Sequence, residues 1–469
     1  MTSMKRYSTW TLCSVLLGAS IAFSEIIRVP ADKPTVQSAI DSAENGDTVL
    51  VNPGTYYENI CFKGKRIVLT SRYYEAADTS FIGSTVLNGS TPLNSDTGSV
   101  VRITNGEDST AVLQGFTITG GSGTNWTDEH GAGVYREGGG VLIAYSAPTI
   151  QFNVIVRNVV AKNSKVNSAG GGGIRAGDGN PAILNNVIAE NTGRYGAGVV
   201  LNYTGATLRN NLLYGNSGGQ DYGGGALWIN QNGKAPRVIE NNTIAGNSVV
   251  AVYVYQGSST FGNNILWGTS STSGAQLVVR TGAQTVYRCD VQGGYGGFGN
   301  INDDPAFVDV TYHLSVGSPC IDAGDTSLAA RDREDPGSSG SALWPSMGGT
   351  RNDMGAFGGP RTTVLPSASV ITDLAPPKSR NPLQIKLEQN YPNPFNPTTG
   401  IRFQVTGDSD VRLAVYDVLG REVAVLVDGQ VPSGSHVVRF DASRVASGAY
   451  FYRLTVGEYS ATRAMVVQK

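Results

Sequence analysis

The chain has 469 residues, with 35 lysines and arginines against 37 aspartates and glutamates and only three histidines. Such a near-neutral balance gives no electrostatic footprint for nucleic acid or an anionic membrane, and the length allows two or three domains. The 61 glycines follow no triplet period, which excludes collagen and favours turn-dense β structure.

Lys5 and Arg6 precede the apolar run Trp10 to Leu17, and Ala22-Phe23-Ser24 offers small residues to a signal peptidase. Residues 1–24 therefore read as a signal peptide, with the exported chain starting at Glu25. The run is too short to remain as a bilayer anchor, and no other segment qualifies as a transmembrane span. Trp10, Thr11 and Leu12 before Cys13 do not suit a lipoprotein signal. Cys61, Cys289 and Cys320 remain, an odd set that makes no disulfide framework. Cys289 and Cys320 are either neighbours able to pair in an oxidising space or, with Cys61, small buried hydrophobes.

Next comes an amphipathic turn of helix within residues 34–45. Thr35 is its expected N-cap, and Val36, Ala39, Ile40 and Ala43 make one apolar face. Strands are expected at Thr48 to Val51, from Tyr56 after the Pro53-Gly54 turn, at Arg66 to Thr70, Ser84 to Leu87, Ser99 to Ile103 and Val112 to Thr119. From Gly138 to Gly268 the chain repeats itself: PTIQFNVIVRN, PAILNNVIAEN, ATLRNNLLYGN, RVIENNTIAGN and a worn STFGNNILWGT. Asn153, Asn186, Asn211, Asn242 and Asn264 share one column, and Asn158, Asn191, Asn216 and Asn247 a second. Two-residue alternation rich in β-branched residues is strand patterning, and self-similarity at this period marks a solenoid. Coils stacked at the strand spacing of ~4.8 Å let buried asparagine amides bond to one another up the stack, so the columns read as structural ladders.

This pattern resembles the right-handed parallel β-helix proteins, the pectate-lyase-like solenoids, over roughly residues 26–357, and NGDTVLVNPGTYYENI resembles their opening coils. The helix then serves as the lid on the open N-terminal end. Four polar insertions interrupt the units near one point of the cycle: 120–138, 161–169, 191–195 and 216–222. They are expected to emerge along one edge and wall a groove, where function would lie. GNINDDPAFVDVTYHLSVGSPCIDAGD and NDMGAFGG, at about 298–357, resemble the choice-of-anchor Q region that closes many bacterial surface β-helices.

Residues 359–386 have the proline- and serine-rich composition of a linker. Six or seven alternating strands follow in a short span, the signature of a small β-sandwich. LEQNYPNPFNPTTGIRF, VYDVLGREV, SGAYFYRLTVG and the terminal RAMVVQK resemble the type A C-terminal sorting domain of type IX secretion, an immunoglobulin-like module, over residues 387–469. The whole is thus expected to be all-β: a right-handed parallel β-helix solenoid over 25–358, then an immunoglobulin-like sandwich. The resemblance implies export by the type IX machinery to the outside or the outer surface of a Gram-negative cell.

Catalytic signals are sparse. A uronate lyase on this fold needs clustered acids for calcium or basic residues, with a base at the sugar C5, and a hydrolase needs an acid pair near a histidine. Of the histidines, only His130 lies in an insertion. Asp303-Asp304 precedes a proline in a turn and reads as structural. The candidates are His130, Arg194 and Tyr195 for catalysis, and Asp128, Glu129, Arg136, Glu137, Asp221 and Tyr222 for ligand binding. No metal site is indicated; calcium is the one cofactor that a lyase would call for. The leading expectation is a monomeric surface protein that binds polysaccharide without catalysis. The alternatives are a polysaccharide lyase or glycoside hydrolase acting on acidic glycans, and a structural spacer or adhesin.

Overall fold

Each repeat unit is one three-strand coil. In the unit around Asn153, Thr149–Gln151 leads to Val154–Val156 and, after an insertion, to Ile174–Gly177; each strand pairs in parallel with its counterpart one coil on. Stacking makes three parallel sheets of ten, nine and eight strands, called sheets 1, 2 and 3 here. A computed structural model describes residues 24–231, 233, 235–269, 274–365, 386–405, 409–418, 421–431, 434–456 and 459–468. The expected signal peptide, apart from Ser24, and most of the linker lie outside these residues. The chain divides into two units, 1–368 and 369–469.

Inside the first unit, alternate residues of the three sheets point to one continuous core of isoleucine, leucine and valine, fully buried from Val49 to Leu266. The asparagine columns stand at two corners of each coil. Asn186 Nδ2 donates to Asn211 Oδ1 at 3.1 Å, and Asn211 Nδ2 donates to Asn242 Oδ1 at 3.0 Å. Each amide also donates to main-chain carbonyls, as Asn211 does to Ile183 and Arg209. Phe116 heads the column with its main-chain N–H on Asn153, and Cys289 ends it, its Sγ accepting the Asn264 N–H at 3.3 Å. The residue before each ladder asparagine turns the corner in the left-handed region: Phe152, Asn185, Asn210, Asn241 and Asn263, with φ from 51° to 55°. Asparagine tolerates that conformation better than most residues.

Helix Val36–Ser42 covers the N-terminal end, its Val36, Ala39 and Ile40 joining the core. Thr35 caps it through a capping box with Ser38, and Lys65 Nζ closes the other end by donating to the Ile40, Asp41 and Ala43 carbonyls at 2.7 Å each. The expected strand Val112 to Thr119 is two strands, bent at Gly115 where a corner falls.

The closing region is not made of coils. After Asp290–Val291, the last strand of sheet 2, the chain turns back and straps the outer face of that sheet. Leu314, Cys320 and Met354 pack on the outward Ile265, with Trp267 and Phe307 alongside. The corner asparagines hold the strap: Asn210 Nδ2 donates to the Ala356 and Gly358 carbonyls, Asn241 Nδ2 to Asn352 Oδ1, and Asn263 Oδ1 accepts the Asp325 N–H. Buried aspartates clamp it from within. Asp353 accepts the N–H groups of Asp322 and Met347 at 2.7 Å each, and Asp332 those of Asp353 and Gly359. All three expected cysteines are free thiols. Cys320 donates to Asp290 at 3.2 Å while Cys289 faces the ladder, so the two do not stack as a pair.

In the second unit, three strands, Lys386–Leu387, Thr398–Val405 and Gly434–Asp441, form one antiparallel sheet. Ser409–Tyr416, Glu422–Val431, Gly448–Val456 and Tyr459–Val467 form another. Both contribute to one core containing Ile401, Phe403, Leu413, Val415, Tyr452 and Met465. Tyr452 fixes the lead-in segment, donating to the Glu388 carbonyl at 2.6 Å and accepting the Asn390 N–H at 2.7 Å.

Candidate functional site

The four insertions lie side by side along the edge between sheets 2 and 3. Arg136 donates its N–H to the Ser168 carbonyl, Arg194 to that of Ala169, and Asp221 to that of Arg194, which joins all four in one wall. The first insertion is not an open loop. Gly123–Thr127 and Val134–Glu137 form an antiparallel hairpin, flanked by Thr97–Gly98 and Ala169–Gly170.

This hairpin folds over the outer face of sheet 3 because one buried cation holds it there. Arg175 points outward from its strand yet is fully buried, and its guanidinium clasps Glu129 with two bonds of 2.6 Å. Glu137 lies 3.0 Å from Arg175 Nε and accepts the Tyr195 hydroxyl at 2.7 Å. Trp126 Nε1 completes Glu129 at 2.9 Å. Burial raises Glu137 above the usual carboxylate range despite Arg175 beside it. Burial acts in the same direction on Glu129, but the bidentate Arg175 overrides it and holds that carboxylate low. Tyr195 is raised by its own burial and by the facing Glu137. Nearby, Asn202 Nδ2 donates to Asp128 at 3.1 Å, and Arg136 pins the Ser95 and Ser122 carbonyls.

Asp128, Glu129, Arg136, Glu137 and Tyr195 are therefore brought together as the internal fastening of the hairpin. Four other candidates keep solvent-facing surface. His130, at the hairpin tip, stacks on Tyr203 at 3.6 Å between ring centroids, with Nε2 3.1 Å from Asp178. Arg194 and Asp221 bond to each other at 2.6 and 2.7 Å, and this contact lowers Asp221 to about 2. Tyr222 is 38% exposed. Acidic side chains suited to calcium are already engaged by Arg175, Tyr195 and Asn202. Among the described residues no three His, Cys, Asp or Glu side chains group as metal ligands, so the residues here do not fit a calcium ion.

Beyond the hairpin, the outward positions of sheet 3 turn aromatic. Trp228 and Tyr253 are register neighbours on adjacent coils, and Tyr255 donates its N–H to the Ile229 carbonyl at 2.8 Å. Tyr222 lies 6.0 Å from Tyr255, Trp228 lies 5.6 Å from Tyr255, and Arg280 stacks on Tyr255 at 4.3 Å. Gly223, with φ +88°, is required there, because a Cβ would sit 2.1 Å from the Tyr253 ring. Trp228, Tyr253, Tyr255 and Arg280 carry no insertion motif, so they were not among the candidates. Their signal was the alternation of GGGALWIN and VVAVYVYQ, in which every second residue faces outward.

Stacked parallel sheets around ladders and a single core define a β-helix. Residues 72–291 match the family model described as a right handed beta helix region, and residues 389–468 match the secretion system C-terminal sorting domain. The chain carries a right-handed β-helix region followed by a type IX secretion C-terminal sorting domain. It is thus a secreted or cell-surface protein handled by the type IX machinery. Neither the curated proteins nor the solved structures include a match. Among the described residues no helix is long and apolar enough to cross a membrane.

Proposed function

We propose that the protein binds extracellular polysaccharide on the outer face of sheet 3, beside the wall of insertions. The observation that carries this reading is the partly exposed aromatic surface of Tyr222, Tyr253 and Tyr255, backed by the buried Trp228, with Arg280 stacked on its edge. Aromatic faces take the C–H surface of sugar rings at small entropic cost, while a guanidinium such as that of Arg280 meets the hydroxyls. Export to the cell exterior puts such a surface where polysaccharide is found.

One feature supports a lyase as second reading: His130, at the tip of the hairpin, is exposed and is held by Asp178 against Tyr203. Affinity electrophoresis against acidic and neutral polysaccharides separates these readings when each is also assayed for unsaturated uronates and reducing ends. Retention by at least one polymer, weakened about tenfold in Tyr222→Ala or Tyr255→Ala, is expected. Retention by none of the panel overturns binding, and product formation lost in His130→Ala replaces it with catalysis.

A further inference from the structure

The four-stranded sheet of the sorting domain has a second surface that its core does not use. In Ser409–Tyr416 the residues Val411, Leu413 and Val415 point to the core, and in Gly448–Val456 so do Tyr450, Tyr452, Leu454 and Val456. Alternation then turns Tyr416, Phe451 and Arg453 outward. Register sets Tyr416 opposite Phe451, and Arg453 opposite Thr462. With Asp417 and Val418 these residues line a pocket of about 270 Å³. Val418 is 65% exposed and Phe451 39%.

The pocket has a mixed lining: Tyr416, Val418 and Phe451 give it an apolar side, Asp417 and Thr462 a polar one, and Arg453 a positive charge. Arg453 lies 5.2 Å over the Tyr416 ring and bonds to Thr462 Oγ1 at 3.3 Å, and among the described residues no carboxylate pairs with it. Asp417 is already held by Arg421 through the side chain at 2.7 Å and the main chain at 2.9 Å. Aromatic and arginine side chains grouped on an exposed surface are the composition of protein-binding hot spots, and an exposed apolar patch marks such sites. All of the lining except Thr462 comes from VYDVLGREV and SGAYFYRLTVG, two of the stretches by which the sorting domain was legible. The core accounts for Val415, Tyr452 and Leu454 in those stretches, and Tyr416, Val418, Phe451 and Arg453 lie outside it.

We propose that this pocket is where a component of the type IX machinery grips the sorting domain, by inserting an apolar side chain flanked by a carboxylate that pairs with Arg453. The inference is independent of the polysaccharide reading.

The test follows export of the full-length protein in cells with a working type IX system. Val418→Glu and Arg453→Glu are expected to lower the extracellular fraction about tenfold, with precursor building up in the periplasm, while Arg453→Lys keeps most of it. Val437→Glu, at a 61% exposed position on the other sheet, is expected to export normally. Melting temperatures of the purified full chains within about 3 °C of the parent show that folding is not the cause. A photo-crosslinking residue at position 418 should trap a secretion component, and Arg453→Glu should abolish that adduct. Undiminished export of both charge variants overturns the proposal. So do crosslinks formed only to residues 366–385 of the same chain or only between two copies.

Discussion

Arg175 illustrates how one side chain decides what the candidate site is. A guanidinium with no exposed surface is tolerable only when its charge is met, and here Glu129 and Glu137 meet it while their hairpin covers it. Removing it leaves two buried carboxylates facing each other. Arg175→Ala is therefore expected to destabilise the first unit by about 3–5 kcal/mol. A urea titration followed by tryptophan fluorescence checks this, and a change below about 1 kcal/mol would contradict the assigned role. The acids and the arginine of the first insertion were legible as a cluster. Their role was not, because Arg175 sits 38 residues beyond Glu137 in a strand that reads as GGGIRAGD, and only stacking brings it beneath the hairpin.

At the scale of the element, the ladder is the feature most fully legible in advance, since a column of identical polar residues in an apolar repeat has one economical use. The doublets Asn185-Asn186, Asn210-Asn211, Asn241-Asn242 and Asn263-Asn264 hold a signal that the column alone did not give: the first asparagine turns left-handed, the second points inward. Cys289 breaks the series. Its thiol is a poor acceptor for the Asn264 N–H and Nδ2 at 3.3 and 3.7 Å, and burial pushes its pKa up to about 12, so it stays neutral. Cys289→Asn would supply a sixth rung. A gain of about 1 kcal/mol is expected, read as a higher urea midpoint at unchanged slope, and a loss of stability would show that the last coil cannot hold an amide there. The hairpin of the first insertion was missed as an element because GTNWT and VYRE are too short to show a period.

For the first unit as a whole, the strap over sheet 2 makes stability fall as pH rises. Burial pushes Asp332 up to about 7 and Asp353 up to about 8, with neighbouring carboxylates adding to the effect. An unfolded aspartate titrates near about 4, so above that pH the folded chain retains protons that the unfolded chain has lost. This contribution to stability is complete below about 4 and falls away as pH rises through about 7 and 8. The purified protein is expected to melt at a lower temperature at pH 9 than at pH 6, and Asp353→Asn to flatten that slope. An unchanged slope in the variant would remove the clamp from the account.

Strand periodicity, the asparagine columns, the helical cap and the sorting-domain blocks were determined by the sequence alone, because each depends on residues close in the chain or on a repeat whose stacking is forced by its own period. Only the tertiary structure decided that the first insertion is a fastened hairpin, that the closing region doubles back as a strap, and that Tyr222, Tyr253, Tyr255 and Arg280 gather beside one another. These outcomes rest on contacts between residues tens to more than a hundred positions apart, such as Arg175 with Glu129 and Asn210 with Gly358. Pattern along the chain carries no information about such pairs until the coils bring them together.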